Sequence, residues 1–163
     1  MGQIKGSIKM GYTHYWTFKG QRGQTSQNEK KYQTAILKCA KVVRSYSKTF
    51  GGLSGFSAHC DPKQYGGLNV NGSERVGQCE TFVLREHMSQ NEAFNFCKTR
   101  QYPYDTVVVA CLIILKHCLG EAIEVGSDGD ASEWADGLTL AKQVLGLKTL
   151  KIPVSIRVKG QVA

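Results

Sequence analysis

The sequence predicts an α+β domain, a mainly antiparallel sheet covered by three helices, and three observations predict it. Short runs rich in aromatic and β-branched residues, Met10–Phe18 and Cys79–Arg85, have the composition and alternation of strands. Longer runs after Ser26, Pro103 and Asp130 repeat their apolar residues at the helical period. The 163 residues are enough to bury a core and few enough to be one compact domain.

Taken in order, residues 1–9 read as a flexible N-terminal arm and residues 10–163 as the folded domain. Met10–Phe18 is the first strand, and residues 19–24 (KGQRGQ) form a basic turn. Ser26 with Glu29 three residues on is a capping-box pattern and opens the first helix. Tyr32, Ile36, Cys39, Ala40 and Val43 are its buried stripe, while Lys30, Lys31, Lys38, Lys41 and Arg44 read as a solvated surface. From Phe50 to Gly77 the composition turns to Gly, Ser and Asn, which predicts long loops. Short strands are expected near Phe56–His59 and Leu68–Val70, the latter ending at the Asn71-Gly72 turn signal. Cys79–Arg85 is the next strand, and Glu86–Asn95 is irregular or a short helical turn.

Pro103 has no N–H to waste in a first turn, so the second helix opens there and runs to about Leu119, before Gly120. Its buried face is Val107, Ala110, Cys111, Ile114, Leu115 and Cys118. Ala122–Val125 is a short strand. Asp130 with Glu133 is a second capping-box pattern and opens a helix to Leu145, stopped by Gly146. Val154–Val158, after Pro153, reads as a last strand.

A formal charge of +8 and a pI near 9.2 point to an anionic partner without naming it. The six cysteines show no paired C-x-x-C spacing, and Cys111 and Cys118 sit in an apolar run, which favours reduced thiols in a cytoplasm. No secretory leader is visible, and the longest apolar run, Thr106–Leu115, is about half of what a bilayer requires. A soluble cytoplasmic protein is expected, with no metal and no cofactor.

Three short runs carry the functional signal. Lys98, Thr99 and Arg100 precede the Pro103 helix, whose N-terminal N–H groups and partial positive charge suit a phosphate. Arg forks onto two oxygens and Lys supplies a point charge, while Tyr104 and Asp105 follow at once and can read a base or ribose. Tyr12, His14 and Trp16 share one face of the first strand, and a histidine between two aromatics needs partners for both ring nitrogens. Ser127 and Asp128 stand at a strand exit, where they can contact ribose hydroxyls or serve as plain turn residues. Together these predict a pocket for a phosphate-bearing nucleotide.

No phosphate-binding loop, HExxH pattern or nucleophile elbow is present. Cys97 reads as a buried thiol beside Phe96 rather than a nucleophile. The enzymatic alternative is a nucleotide hydrolase with His14 as acid or base and Asp128 as its partner. A nucleic-acid-binding module is the third reading, although three converging segments favour a pocket over a track for extended nucleic acid.

The matching residues Gly11–Trp16, Asn71, Gly72, Glu80–Phe82, Phe96–Arg100, Pro103–Asp105, Lys116, His117, Gly120, Ser127–Gly129 and Trp134 form a set. As a set it resembles a family of small proteins of bacteria and their phages. That family is similar to the phage anti-CBASS sponges, which hold a signalling nucleotide away from a bacterial defence effector. The resemblance implies sequestration of a cyclic dinucleotide or ADP-ribose derivative without cleavage. It also implies a homo-oligomer, a bacterial cytoplasm, and Asn71 among the ligand-binding residues. The glycine-rich Phe50–Gly77 segment departs from the shorter members of that family.

Overall fold

The computed structural model describes residues 11–19, 25–55 and 66–159. Among these, three helices and two antiparallel three-stranded sheets make the α+β arrangement that the sequence predicts. The strands are β1 (Thr13–Phe18), β2 (Leu53–Ser54), β3 (Gly67–Gly72), β4 (Phe82–Arg85), β5 (Phe94–Lys98) and β6 (Ile123–Ser127). The helices are α1 (Ser26–Phe50), α2 (Asp105–Leu119) and α3 (Ala131–Leu145). One sheet has the order β5-β1-β6 and the other β2-β3-β4.

α2 is the centre of the molecule. Val107 through Leu115 are buried without interruption, so it is apolar all round and not on one stripe alone. A helix of that kind must be covered on every side, and α1, α3 and β6 supply much of the cover. At Gly137 the backbone of α3 comes so close to α2 that an added Cβ would sit 2.4 Å from Val109 Cγ1. α1 buries Tyr32, Ile36, Cys39, Ala40 and Val43 as the helical period predicts, together with Ala35 and Val42.

The helix starts show how capping decides. Asp130 and Glu133 form the reciprocal box: Asp130 Oδ1 accepts from Glu133 N at 3.1 Å, and Glu133 Oε2 accepts from Asp130 N at 2.9 Å. The first helix is capped one residue earlier than its pattern suggests, by Thr25, whose Oγ1 accepts from Asn28 N at 3.2 Å. Glu29 is drawn away instead to His87 Nδ1 at 2.9 Å and Met88 N at 3.0 Å. α2 begins at Asp105 rather than Pro103, after a tight turn over residues 102–104.

Five strand expectations change. The strand expected over Leu68–Val70 runs on through Asn71 and Gly72, which pair with Ser54 and Leu53 and make no turn. Phe94–Lys98 forms β5, in a stretch not read as a strand, and Leu53–Ser54 adds a short edge strand to the second sheet. Cys79–Arg85 keeps strand geometry only from Phe82. Val154–Val158 is no strand: residues 154–155 are a turn, Val154 is 93% exposed, and only Arg157 forms a bridge, to Asp130. The strand expected at Phe56–His59 and the arm over residues 1–9 lie outside the described residues. No described helix is long and apolar enough to cross a membrane.

Gly137→Ala tests the α2–α3 contact. Alanine gains about 0.5–1 kcal/mol of helix propensity, whereas overpacking a rigid valine costs about 1–3 kcal/mol. We expect a net loss of stability, read as a lower urea midpoint with an unchanged slope.

Candidate functional site

The three runs singled out in the sequence do meet, but around a buried centre. β1 runs between β5 and β6, with His14 opposite Cys97 on one side and Ser127 on the other. The face of β1 that holds Tyr12, His14, Trp16 and Phe18 is the core face. His14 is fully buried and both ring nitrogens are satisfied: Nε2 lies 2.6 Å from Asp105 Oδ1 and Nδ1 lies 2.8 Å from Ser127 Oγ. Thr99 Oγ1 donates to the same Asp105 oxygen at 2.5 Å.

The tautomer follows from valence. Trp134 Nε1–H and Gly129 N–H can only donate, and both donate to Ser127 Oγ, at 3.1 Å and 2.9 Å. Its lone pairs are then spent, so the Ser127 hydroxyl donates to His14 Nδ1, and Nε2 carries the proton that meets Asp105. Tyr12 and Trp134 pack edge-on against the imidazole, with centroids at 5.2 Å and 5.4 Å. This is a Ser–His–Asp relay in connectivity, yet it is walled in. A Cβ on Gly129 would meet the Tyr12 hydroxyl at 2.1 Å, so Tyr12 packs against the backbone at that position. Burial first, then the Asp105 carboxylate, raises the Tyr12 phenol well above its ordinary value. The relay orients and ties segments together.

The cation loop differs from expectation in the same way. The first N–H groups of α2 are taken by the turn before it: Asp105 N donates to Tyr102 O at 2.8 Å and Val107 N to Tyr104 O at 3.0 Å. The anion at this helix start is the chain's own Asp105. Arg100 and Gln101 are consecutive non-glycine residues at positive φ, 54° and 57°. Such a conformation costs about 1–2 kcal/mol per residue. It is held by Thr99 N and Arg100 N donating to Tyr12 O at 3.1 Å and 3.3 Å. Tyr104 is buried and its hydroxyl donates to Glu80 O at 2.7 Å. Cys97 is buried too, and burial followed by the Glu80 charge pushes its thiol far up.

Trp16 packs on Phe82 at 5.1 Å and its ring is buried in the core. Asn71 is spent locally: its amide donates to Cys79 O at 2.9 Å and Thr81 Oγ1 at 3.1 Å, and its oxygen accepts from Gly72 N and Cys79 N. Asp128, expected beside His14, is exposed on the far side of β1. There it accepts from Thr13 N at 3.0 Å and from the Tyr15 hydroxyl at 3.2 Å. Of the eleven residues expected to bind a ligand, Tyr12, His14, Trp16, Thr99, Tyr104 and Asp105 are therefore buried, and Lys98, Arg100, Ser127 and Asp128 keep some exposure around them.

The open face of the sheet is what the sequence reading missed. Its register pairs Thr13 with Lys98, Tyr15 with Phe96 and Thr17 with Phe94, so these six share the outward side. Phe94 and Phe96 are 56% and 57% exposed, although a buried setting is the usual one for such rings. Phe94 stacks with Tyr15 at a centroid distance of 6.2 Å and 20° between planes, and lies 6.2 Å from Phe96. On the other side Tyr15 faces Gly126, which adds no side chain, and a cleft of about 450 Å³ opens there. Thr17, Glu124 and Val154 line it, and Lys19 sits on its rim in an ion pair with Glu124 at 2.5 Å. The signal available in the sequence was the inverted alternation of Phe94-Asn95-Phe96-Cys97, with rings where a surface strand carries polar groups.

Replacing Asp105 by Ala leaves the buried His14 Nε2–H and Thr99 hydroxyl without their acceptor. Each hydrogen bond to a charged group is worth about 1.5–3 kcal/mol. We expect a loss of roughly 3 kcal/mol or more in urea unfolding, and a smaller loss for Asp105→Asn, which keeps one acceptor. No family model, curated protein or solved structure matches this chain, so the chemistry of its open face stands on its own residues.

Proposed function

We propose that the protein binds a phosphate-bearing nucleotide on the open face of the β5-β1-β6 sheet and holds it without cleavage. The observation that carries this reading is the row Tyr15, Phe94 and Phe96, three rings gathered on one solvent-facing sheet surface. A base stacks on such rings whatever its identity, at about 1–3 kcal/mol per base. Lys98 continues the row two residues beyond Phe96 on the same face and supplies a cation for phosphate. The cleft over Gly126 gives a second base or a ribose somewhere to go. Sequestration in place of turnover fits the fully buried His14, both of whose ring nitrogens already have partners. The ligand class is a signalling nucleotide of the cyclic dinucleotide or ADP-ribose type, held in the cytoplasm of a bacterial host against its defence. An open face releases its guest quickly, so a second copy closing over it completes the sponge. The homo-oligomer belongs to the proposal for that reason.

One observation favours a second reading, single-stranded nucleic acid. Phe94 and Phe96 are both more than half exposed, and sheets that present rings in this way stack two or three unpaired bases. Salt separates the two, because binding along a strand weakens with a slope of about −0.7 per phosphate contacted and a pocket for one or two phosphates barely responds.

Titration calorimetry with a nucleotide panel, followed by recovery of the intact ligand, tests the proposal. Phe96→Ala is expected to weaken binding by about tenfold or more, since about 1.4 kcal/mol is a factor of ten. Its unfolding midpoint should barely move, because the ring is more than half exposed. Lys98→Ala should have a similar effect on affinity. A chemically altered ligand, or full affinity in Phe96→Ala, rejects the reading.

A further inference from the structure

We propose that the outward face of α1 is a separate docking surface for the phosphate backbone of double-helical nucleic acid. This surface belongs to the helix itself and shares no residue with the ring-bearing sheet face.

α1 carries six of the chain's 21 lysines and arginines: Lys30, Lys31, Lys38, Lys41, Arg44 and Lys48. At 100° per residue they fall within a single arc, and Lys30, Lys41 and Lys48 lie nearly in line along it. From Lys30 to Lys48 the ridge is about 27 Å long at 1.5 Å per residue. The helix has one carboxylate, Glu29, and it is turned aside to His87 and Met88. Among the described residues no carboxylate pairs with any of the six cations. A ridge whose charges are not neutralised by its own chain attracts a polyanion.

Shape and length narrow the partner. A cleft of about 370 Å³ lies beside the ridge, where Lys30, Lys31 and Lys38 face His117 at the end of α2. A second, of about 380 Å³, continues past Lys38 and Lys41 to Leu145. The ridge is far longer than one nucleotide, whereas a duplex sets phosphates every ~3.4 Å of axis along each strand, so several of the six cations can meet phosphates at once. A lipid surface fits less well. An interfacial helix inserts its apolar stripe, and that stripe of α1, from Tyr32 to Val43, is locked in the core.

The test measures fluorescence anisotropy of DNA and RNA duplexes of about 20 base pairs between about 50 and 200 mM salt. The expected result for the wild type is a linear fall of log K with log salt, with a slope of roughly −3 to −5. The triple variant Lys31→Glu, Lys38→Glu, Lys41→Glu, with its fold checked by circular dichroism, is expected to lose at least about thirtyfold in affinity and most of that slope. Phe96→Ala is expected to leave duplex binding unchanged, so a failure here and a failure of the sheet-face reading are told apart. Absence of duplex binding at low salt, unaltered affinity in the triple variant, or tighter binding to phosphatidylserine vesicles than to either duplex overturns the proposal.

Discussion

A single buried carboxylate holds the architecture together. Asp105 stands at the start of the central helix, and an unpaired charge at that depth is costly. It is satisfied from two directions, by His14 of β1 and by Thr99 of the loop after β5. His14 in turn engages Ser127 of β6, which accepts from Trp134 of α3. Five separate stretches of chain are thereby fixed by one chain of hydrogen bonds, each group lending polarity to the next. The loop at Arg100 and Gln101 tolerates its left-handed backbone because the segments on either side of it are pinned in this way.

The same arrangement separates stability from recognition across the thickness of one strand. Even-numbered residues of β1 face the relay and the core, and odd-numbered ones face outward with the rings of β5. A strand has only two faces, so chemistry placed on one is denied to the other. The polar groups that look most functional in the sequence, His14, Thr99 and Asp105, are those the fold consumes. The groups left for a ligand are ones whose types suggest packing.

This explains how far the sequence was legible. Helices were read well because caps and period are local: Asp130 and Glu133 form their box as written, and Gly120 and Gly146 stop their helices. Thr25 displaced Ser26 as cap because both hydroxyls qualify, and the choice was settled by Glu29 reaching His87, far along the chain. β5 was hidden because its pattern is inverted, with phenylalanines outward and Asn95 and Cys97 on the other side, so polarity gave the wrong cue. Val154–Val158 alternates properly yet forms no ladder. Ser155 Oγ instead donates to Val125 O at 2.6 Å, giving the β6 edge a single side-chain bond where a strand would give several. Convergence of the three runs was legible, but which face of β1 they would close over was not, since that depends on where α2 lies.

One end of β5 has a consequence for how this sheet could grow. Glu80 takes both backbone groups of Lys98, donating its N–H to Lys98 O at 3.0 Å and accepting the Lys98 N–H at 2.7 Å. Residues at Phe96 and Phe94 point the same way by the pleat. A strand arriving from outside can therefore add to this edge only over those two positions, and it is stopped at Lys98 by a plug the chain provides itself. This edge accepts at most a short visitor, which guards so apolar a margin against open-ended stacking.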